Sequence, residues 1–201
     1  MTWIKICGMT SAEAVSAALE ARVDAIGFVF ARSPRQVTPE VAARLALPAR
    51  GRAICVAVTR HPAQQSIDEI VRIFRPDLLQ TDADDLRALH LPRELQLLPV
   101  LRGWNGEDDQ LPPRVLFEGQ ASGTGVPCDW NAAGTVARRT QLVLAGGLNA
   151  ANVGQALAEV RPYGVDVSSG VETSPGQKNP AEIMRFVTAV RSGQRAVAPR
   201  S

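Results

Sequence analysis

Residues 141–172, QLVLAGGLNAANVGQALAEVRPYGVDVSSGVE, decide the fold because they hold one complete strand–helix–strand unit. Leu142 to Ala145 is a short apolar run typical of a buried strand, and two glycines follow it. Asn149 to Val160 has a helical pattern, and Tyr163 to Val167 is a second apolar strand. Two strands joined by a helix predict a parallel pair with a right-handed crossover.

The same alternation runs along the whole chain. The predicted strands are residues 3–7, 25–30, 53–58, 77–80, 95–101, 115–118, 142–145 and 163–167. The predicted helices are residues 11–22, 38–47, 64–74, 84–91, 129–139, 149–160 and 180–190. Eight strands in this order favour a closed (β/α)₈ barrel, an α/β fold, over a doubly wound sheet. We expect a single domain over residues 1–192 and a flexible C-terminal tail over 193–201.

Composition excludes several classes of protein. The 201 residues carry 22 Lys and Arg against 20 Asp and Glu, and 45% are hydrophobic, so a disordered chain is excluded. The small net charge of +2 speaks against binding to nucleic acid through bulk charge. No apolar run reaches the ~18–20 residues of a membrane span, and Met1 leads directly into a strand, so we expect no signal peptide.

The cysteines and histidines suggest metal-free chemistry in a reducing compartment. Cys7, Cys55 and Cys128 lie far apart, with no CxxC pair, so we expect a cytoplasmic location without disulfides. His61 and His90 occur in unlike contexts, and no cluster has the spacing of metal ligands.

The chemistry of such barrels lies at the carboxyl ends of the strands. Strand periodicity turns Lys5 and Cys7 toward the barrel axis. Cys7 is therefore a candidate for acid–base or nucleophilic work, the alternative being a small buried hydrophobic residue. Arg35, after the second strand, can hold a carboxylate or phosphate, the alternative being a surface arginine. Glu118 ends the sixth strand on the axis side.

Glycine-spaced loops follow the last three strands and suggest a phosphate site, because backbone N–H groups can approach an anion closely there. The loops after strands 7 and 8 are the usual phosphate site of these barrels. The alternative is a set of tight turns without a ligand. The candidate residues are Gly123, Gly125, Gly146, Gly147, Ser168, Ser169 and Gly170.

Several of these segments together resemble phosphoribosylanthranilate isomerase, an enzyme of tryptophan biosynthesis. They are KICGMT at 5–10, SPR at 33–35, SGTG at 122–125, LAGGLN at 144–149 and GVDVSSGVE at 164–172. The resemblance implies a (β/α)₈ barrel and an Amadori rearrangement without a cofactor. It also implies that Cys7 is the general base, that Arg35 meets the substrate carboxylate and that loops 6 to 8 hold the phosphate.

Two positions depart from the pattern of that family. The family commonly has an Asp as general acid at the end of strand 6, where this chain has Glu118. The usual Gln-Leu-His after strand 4 is here Gln80-Thr81-Asp82, and we expect Gln80 to contact the substrate.

The rearrangement needs an acid to open the sugar ring and a base to remove the C2′ proton. Glu118 as acid needs a raised pKa, which burial away from cations would give. Cys7 as base needs a lowered pKa, which the Lys5 ammonium could supply. Asp166 lies on strand 8, beside strand 1 in a closed barrel, and we expect it to pair with Lys5, since neither charge could be buried alone. Lys5 and Asp166 thus complete the predicted substrate site.

Two other functions remain open at this stage. One is a related sugar-phosphate isomerase of histidine biosynthesis, which would use two aspartates and hold two phosphates. The other is a catalytically silent barrel that binds a phosphorylated ligand. In each case the expected partner is a small phosphorylated molecule, with no nucleic acid or membrane, and the chain is a monomer or homodimer.

Overall fold

Eight parallel strands close into a barrel in the computed structural model, which describes residues 1–102, 104, 110–119 and 128–197. The strands follow one another around the barrel in chain order, and β1 closes it by pairing with β8. The barrel strands are β1 (Trp3–Cys7), β2 (Ala25–Val29), β3 (Ile54–Val58), β4 (Leu78–Asp82), β5 (Gln96–Arg102), β6 (Arg114–Glu118), β7 (Gln141–Leu144) and β8 (Gly164–Val167). The predicted fold class is confirmed.

Six helices lie between or after the strands in the described residues. They are α1 (Ala12–Glu20), α2 (Pro39–Ala46), α3 (Gln64–Ile73), α4 (Trp130–Ala137), α5 (Val153–Val160) and α6 (Pro180–Val197). The side chains of Ser11, Thr38 and Asp129 accept hydrogen bonds from backbone N–H groups in the first turns of α1, α2 and α4. No helix of the described chain has both the length and the apolarity to cross a membrane.

The hydrophobic core has two layers, because successive side chains of each strand face opposite sides of the barrel wall. Ile4 and Ile6 pack outward against the helices, whereas Trp3 packs inside the barrel. The other members of the inner layer are Ala25, Val56, Leu78, Leu98, Val100, Leu116, Val143 and Ala145. Lys5 faces the same interior and is completely buried.

The predicted helix over residues 84–91 is wrong, because the structure has only a 3₁₀ turn at Asp85–Arg87 there. The backbone N–H and C=O of His90 bond to the Gln64 side chain instead of to a helical neighbour. Pro92 lies two residues farther on and would also limit a helix.

Two further boundaries differ from the sequence prediction by more than two residues, and one hairpin is not predicted. Helix α5 begins at Val153 rather than Asn149, since the Asn149 side chain accepts from the N–H groups of residues 151 and 152 and forms a turn. A short antiparallel hairpin of β9 (Glu172–Ser174) and β10 (Gln177–Lys178) follows β8 and is not predicted. Helix α6 extends to Val197, so residues 193–197, which the sequence analysis places in the tail, are helical. Residues 198–201 lie outside the described chain.

Candidate active site

One cavity at the carboxyl ends of the barrel strands collects most of the predicted site residues. Its volume is about 190 Å³. The predicted residues that line it are Cys7, Arg35, Gln80, Glu118, Gly146, Gly147, Asp166, Ser168 and Ser169. Lys5 lies below the cavity in the barrel interior, and Gly170 lies behind the lining. Gly123 and Gly125 lie outside the described residues.

The predicted pair of Lys5 and Asp166 is confirmed. Nζ of Lys5 lies 2.9 Å from Oδ1 of Asp166, and the two residues face each other across the β1–β8 pairing that closes the barrel. Burial works to lower the pKa of Lys5, but the attraction of Asp166 and Cys7 outweighs burial and raises it. Lys5 is therefore a fixed ammonium beneath the Cys7 thiol.

The expected lowering of the Cys7 pKa is wrong for this structure. Burial of the thiol raises its pKa above the ordinary value, and Asp166 adds to the rise. The ammonium groups of Lys5 and Lys178 do lower it, as the sequence analysis proposes for Lys5, but they do not compensate for desolvation. In this arrangement Cys7 holds its proton at neutral pH.

A second buried ion cluster lies beside Cys7 and is missed by the sequence analysis. Nε and Nη2 of Arg35 each lie 2.7 Å from an oxygen of Glu172, and Nζ of Lys178 lies 2.6 Å from Oε1 of the same carboxylate. Burial disfavours the charged form of Glu172, but the hydrogen bonds from Arg35 and Lys178 outweigh it and lower the pKa. Glu172 ends the GVDVSSGVE segment, so the sequence could have indicated it as a site residue. Lys178 reaches the site only through the unpredicted hairpin.

Lys178 also joins the β8 loop to β1. Its Nζ donates to the backbone oxygen of Ser168 at 3.0 Å, and the Ser168 hydroxyl donates to the backbone oxygen of Cys7 at 3.0 Å. Burial lowers the pKa of Lys178, against the attraction of Glu172. The loop after β8 is thus tied directly to the end of β1, where the thiol lies.

Glu118 has a cation beside it, contrary to the condition that the sequence analysis sets for an acid. Its Oε1 lies 2.6 Å from Nη1 of Arg102, and Nε of Arg102 lies 2.7 Å from Oδ1 of Asp82. A neighbouring guanidinium favours the ionised form of a carboxyl group. Strand periodicity could have found Arg102, because it shares the inward face of β5 with Leu98 and Val100 once the strand is extended by one residue.

Gln80 is buried at the cavity wall, and its Oε1 has no hydrogen-bond partner among the described residues. A buried amide oxygen without a partner loses its hydration without compensation. Gln80 can therefore accept a hydrogen bond from a ligand, in keeping with its predicted contact with substrate.

The loops after β7 and β8 lie against each other at the predicted phosphate site. Gly146 and Gly147 have positive φ angles of 89° and 64°, which glycine adopts without strain. A Cβ on Gly170 would clash with the backbone carbonyl of Leu148, so the contact between the two loops requires glycine at that position. This packing places backbone of both loops at one edge of the cavity.

Three side chains that the sequence analysis leaves apart come together near this cavity. A nitrogen of His61 and carboxylate oxygens of Asp82 and Asp85 lie within 4.8 Å of one another. Asp82 already faces the guanidinium of Arg102, and Nδ1 of His61 lies 2.9 Å from Asp85. These contacts give the cluster a role in local packing, since each group already has a partner.

A family model and sequence relatives at 38–39% identity identify the same enzyme family. The model of the N-(5'-phosphoribosyl)anthranilate (PRA) isomerase family matches residues 4–189. The PRA isomerase of Chelativorans sp. (strain BNC1) is 39% identical, over 95% of this chain and 96% of the relative. The PRA isomerase of Brucella canis is 38% identical, over 93% of each chain.

Two solved structures agree with the sequence relatives. The crystal structure of PRA isomerase from Thermotoga maritima superposes with a TM-score of 0.84 at 28% identity, over 96% of this chain and 100% of that one. Another PRA isomerase structure, in complex with reduced 1-(o-carboxyphenylamino)-1-deoxyribulose 5-phosphate, gives a TM-score of 0.78 at 28% identity, with the same coverage.

Proposed function

The chain belongs to the N-(5'-phosphoribosyl)anthranilate isomerase family, and from this premise we propose which of its residues carry the reaction. The enzyme catalyses the Amadori rearrangement of N-(5-phosphoribosyl)anthranilate to 1-(2-carboxyphenylamino)-1-deoxy-D-ribulose 5-phosphate in tryptophan biosynthesis. One observation carries the assignment of residues: a single cavity brings together Cys7, Glu118 and the loops after β7 and β8.

Cys7 is the general base that removes the C2′ proton. Its thiol lines the cavity, and two ammonium groups, on Lys5 and Lys178, act to stabilise the thiolate. Because burial holds the thiol protonated in the free enzyme, the thiolate must form when the substrate is bound. Lys5 supports this step from below, and Asp166 keeps the Lys5 ammonium in place.

Glu118 is the general acid that protonates the ring oxygen. It ends β6 on the inward face, on the cavity wall. Ring opening gives a Schiff base, removal of the C2′ proton gives an enolamine, and tautomerisation gives the ketone. Positioned acids and bases of this kind each contribute about 10²–10⁴-fold to the rate.

The two anionic ends of the substrate need separate sites. Gly146, Gly147, Ser168 and Ser169 support a phosphate site on one side of the cavity. Arg35 lines the cavity and supports a carboxylate site, although its Nε and Nη2 already bind Glu172. A solved member of the family holds a ligand named for both a carboxyphenyl and a phosphate group, which supports this division.

The partner of the chain is thus a small phosphorylated substrate. We propose a reducing cytoplasmic setting, supported by the three free cysteines among the described residues, since Cys7 must remain a thiol.

Turnover of freshly generated phosphoribosylanthranilate, followed by loss of its anthranilate-type fluorescence, tests the assignment of Cys7. We expect Cys7→Ala to abolish turnover while the reduced product analogue still binds with nearly unchanged affinity. Cys55→Ala is the matched control, because Cys55 is buried in the outer core and should leave turnover intact. Retained turnover in Cys7→Ala would assign the base elsewhere, and lost analogue binding in a folded variant would indicate a binding role.

A further inference from the structure

Three charged side chains at the ends of neighbouring strands form a continuous chain of ion pairs. Asp82 ends β4, Arg102 ends β5 and Glu118 ends β6. The strand register places Arg102 directly opposite Glu118. Asp82 and Glu118 are buried, and the Arg102 side chain is 18% exposed. Arg102 and Glu118 line the cavity, and burial fixes the geometry of these ion pairs more closely than that of a surface pair.

The two departures from the family pattern meet in this chain of contacts. Glu118 stands where the family commonly has Asp, and Asp82 stands where it commonly has His. In sequence the two positions are 36 residues apart and look unrelated. In the structure Arg102 contacts both of them, through Nε toward Asp82 and Nη1 toward Glu118.

A longer acid needs a device that fixes it. Glu has one more rotatable bond than Asp, and a general acid must reach within hydrogen-bond distance of the atom it protonates. A guanidinium is planar, so Asp82 on its Nε edge also fixes the direction of Nη1. Oε1 of Glu118 lies 2.6 Å from Nη1 of Arg102 as an ion pair, and this attraction restricts the added rotation, although Nη1 makes no aligned hydrogen bond among the described residues.

We propose that Arg102, anchored by Asp82, is a positioning residue that makes Glu118 an effective acid in place of the family's Asp. The inference rests on the assignment of Glu118 as general acid. Arg102 acts through Glu118, and Asp82 acts through Arg102.

The test is a double-mutant cycle on kcat and KM with Arg102→Met, Glu118→Gln and the combined variant. We expect Arg102→Met alone to lower kcat about tenfold or more, with KM changed less than about threefold, because misplacement of a catalytic group by about 1 Å can cost up to 10²-fold. In the Glu118→Gln background, Arg102→Met should change kcat less than about twofold, since residues that act as a unit are not additive.

Three further variants probe the geometry. Asp82→Asn keeps the size of the side chain and removes its charge, so it should lower kcat in the same sense as Arg102→Met but less strongly. Glu118→Asp restores the residue common in the family, yet its shorter carboxylate loses the contact with Arg102. We expect this variant to be slower than the natural chain, and a combined Glu118→Asp, Arg102→Met variant to be no slower than Glu118→Asp alone.

Arg114→Met is the matched control for loss of an arginine from the same sheet. Arg114 begins β6, at the opposite end from Glu118, and stacks on Tyr163. The Arg114→Met substitution should lower thermal stability without changing kcat. Circular dichroism checks that each variant is folded.

Each unfavourable outcome has a separate meaning. Equal effects of Arg102→Met with and without Glu118 would show that Arg102 acts independently, which overturns the inference and leaves the acid assignment intact. An unchanged kcat in Glu118→Gln alone would overturn the acid assignment, and with it the inference. Glu118→Asp at or above the natural rate would show that Arg102 is not needed to fit a longer acid.

Discussion

The reacting thiol shows how burial and charge compete at a single residue. Cys7 lies above one ammonium and beside another, the arrangement that usually produces a reactive thiolate. Its burial nevertheless dominates, so the free enzyme keeps the thiol protonated. Substrate binding must change this balance, because the reaction needs the thiolate as its base.

The pH dependence of Cys7 alkylation tests this balance. Because the pKa of the thiol is raised, the thiolate fraction rises through a higher pH range than in a free cysteine, which titrates near ~8.5. We expect the rate of iodoacetamide labelling at Cys7, measured by mass spectrometry, to be still rising at about pH 9. Lys178→Met should move the curve to still higher pH, since the Lys178 ammonium lowers this pKa. A plateau reached at or below about pH 8 would contradict the dominance of burial.

At the scale of elements, the phosphate site depends on how closely two loops approach. Gly170, in the 3₁₀ turn after β8, lies against the backbone of Leu148 after β7. The strand ends place both loops on the same edge of the barrel, but the loops can touch only because Gly170 has no side chain. The loop geometry is therefore a property of the pair and not of either loop alone.

Replacement of Gly170 tests the phosphate site at this scale. Gly170→Ala introduces a Cβ that clashes with the Leu148 carbonyl, so the two loops must separate. We expect weaker binding of inorganic phosphate and a KM raised by about tenfold or more, which corresponds to ~1.4 kcal/mol of binding free energy.

Gly154→Ala provides the control within the adjoining helix. A Cβ at Gly154 meets no atom within 4 Å, and alanine in a helix is more stable than glycine by about 0.5–1 kcal/mol. KM should stay unchanged while stability rises. Equal KM values for Gly170→Ala and the natural chain would place the phosphate elsewhere.

At the scale of the whole molecule, the closure of the barrel and the chemistry share one contact. Lys5 on β1 and Asp166 on β8 pair across the seam between the first and last strands, and Lys5 is completely buried. A buried charge left without its partner is costly, whereas removal of both charges can be neutral or stabilising. Substitutions in this pair should therefore change the stability of the closed barrel measurably.

Urea denaturation of the natural chain and two variants separates these effects. We expect Lys5→Met to lower the free energy of unfolding by about 3–5 kcal/mol, because Asp166 loses its partner in the interior. Adding Asp166→Leu to Lys5→Met should recover most of that loss, although turnover stays low without the ammonium below Cys7. A loss of less than about 1 kcal/mol in Lys5→Met would mean that Asp166 finds another partner, and would contradict the role of the pair in closure.

The sequence by itself determined the eight strands, their parallel order and the inward direction of Lys5, Cys7, Glu118 and Asp166. These follow from patterns local to each segment, since a strand alternates its faces every two residues and parallel strands end at one edge. The helix expected over residues 84–91 is absent where a side chain from elsewhere takes over backbone groups, as Gln64 does at His90.

Only the tertiary structure decided the charge environment of the site. The contacts that set these charges join segments far apart in the chain. They are Lys178 with Cys7, Glu172 with Arg35, and Arg102 with Asp82 and Glu118. The physical reason is that desolvation and Coulomb energies depend on distances and burial in space, which no segment contains by itself. The chain therefore specifies which groups face the cavity, and the closed barrel sets which of them are charged.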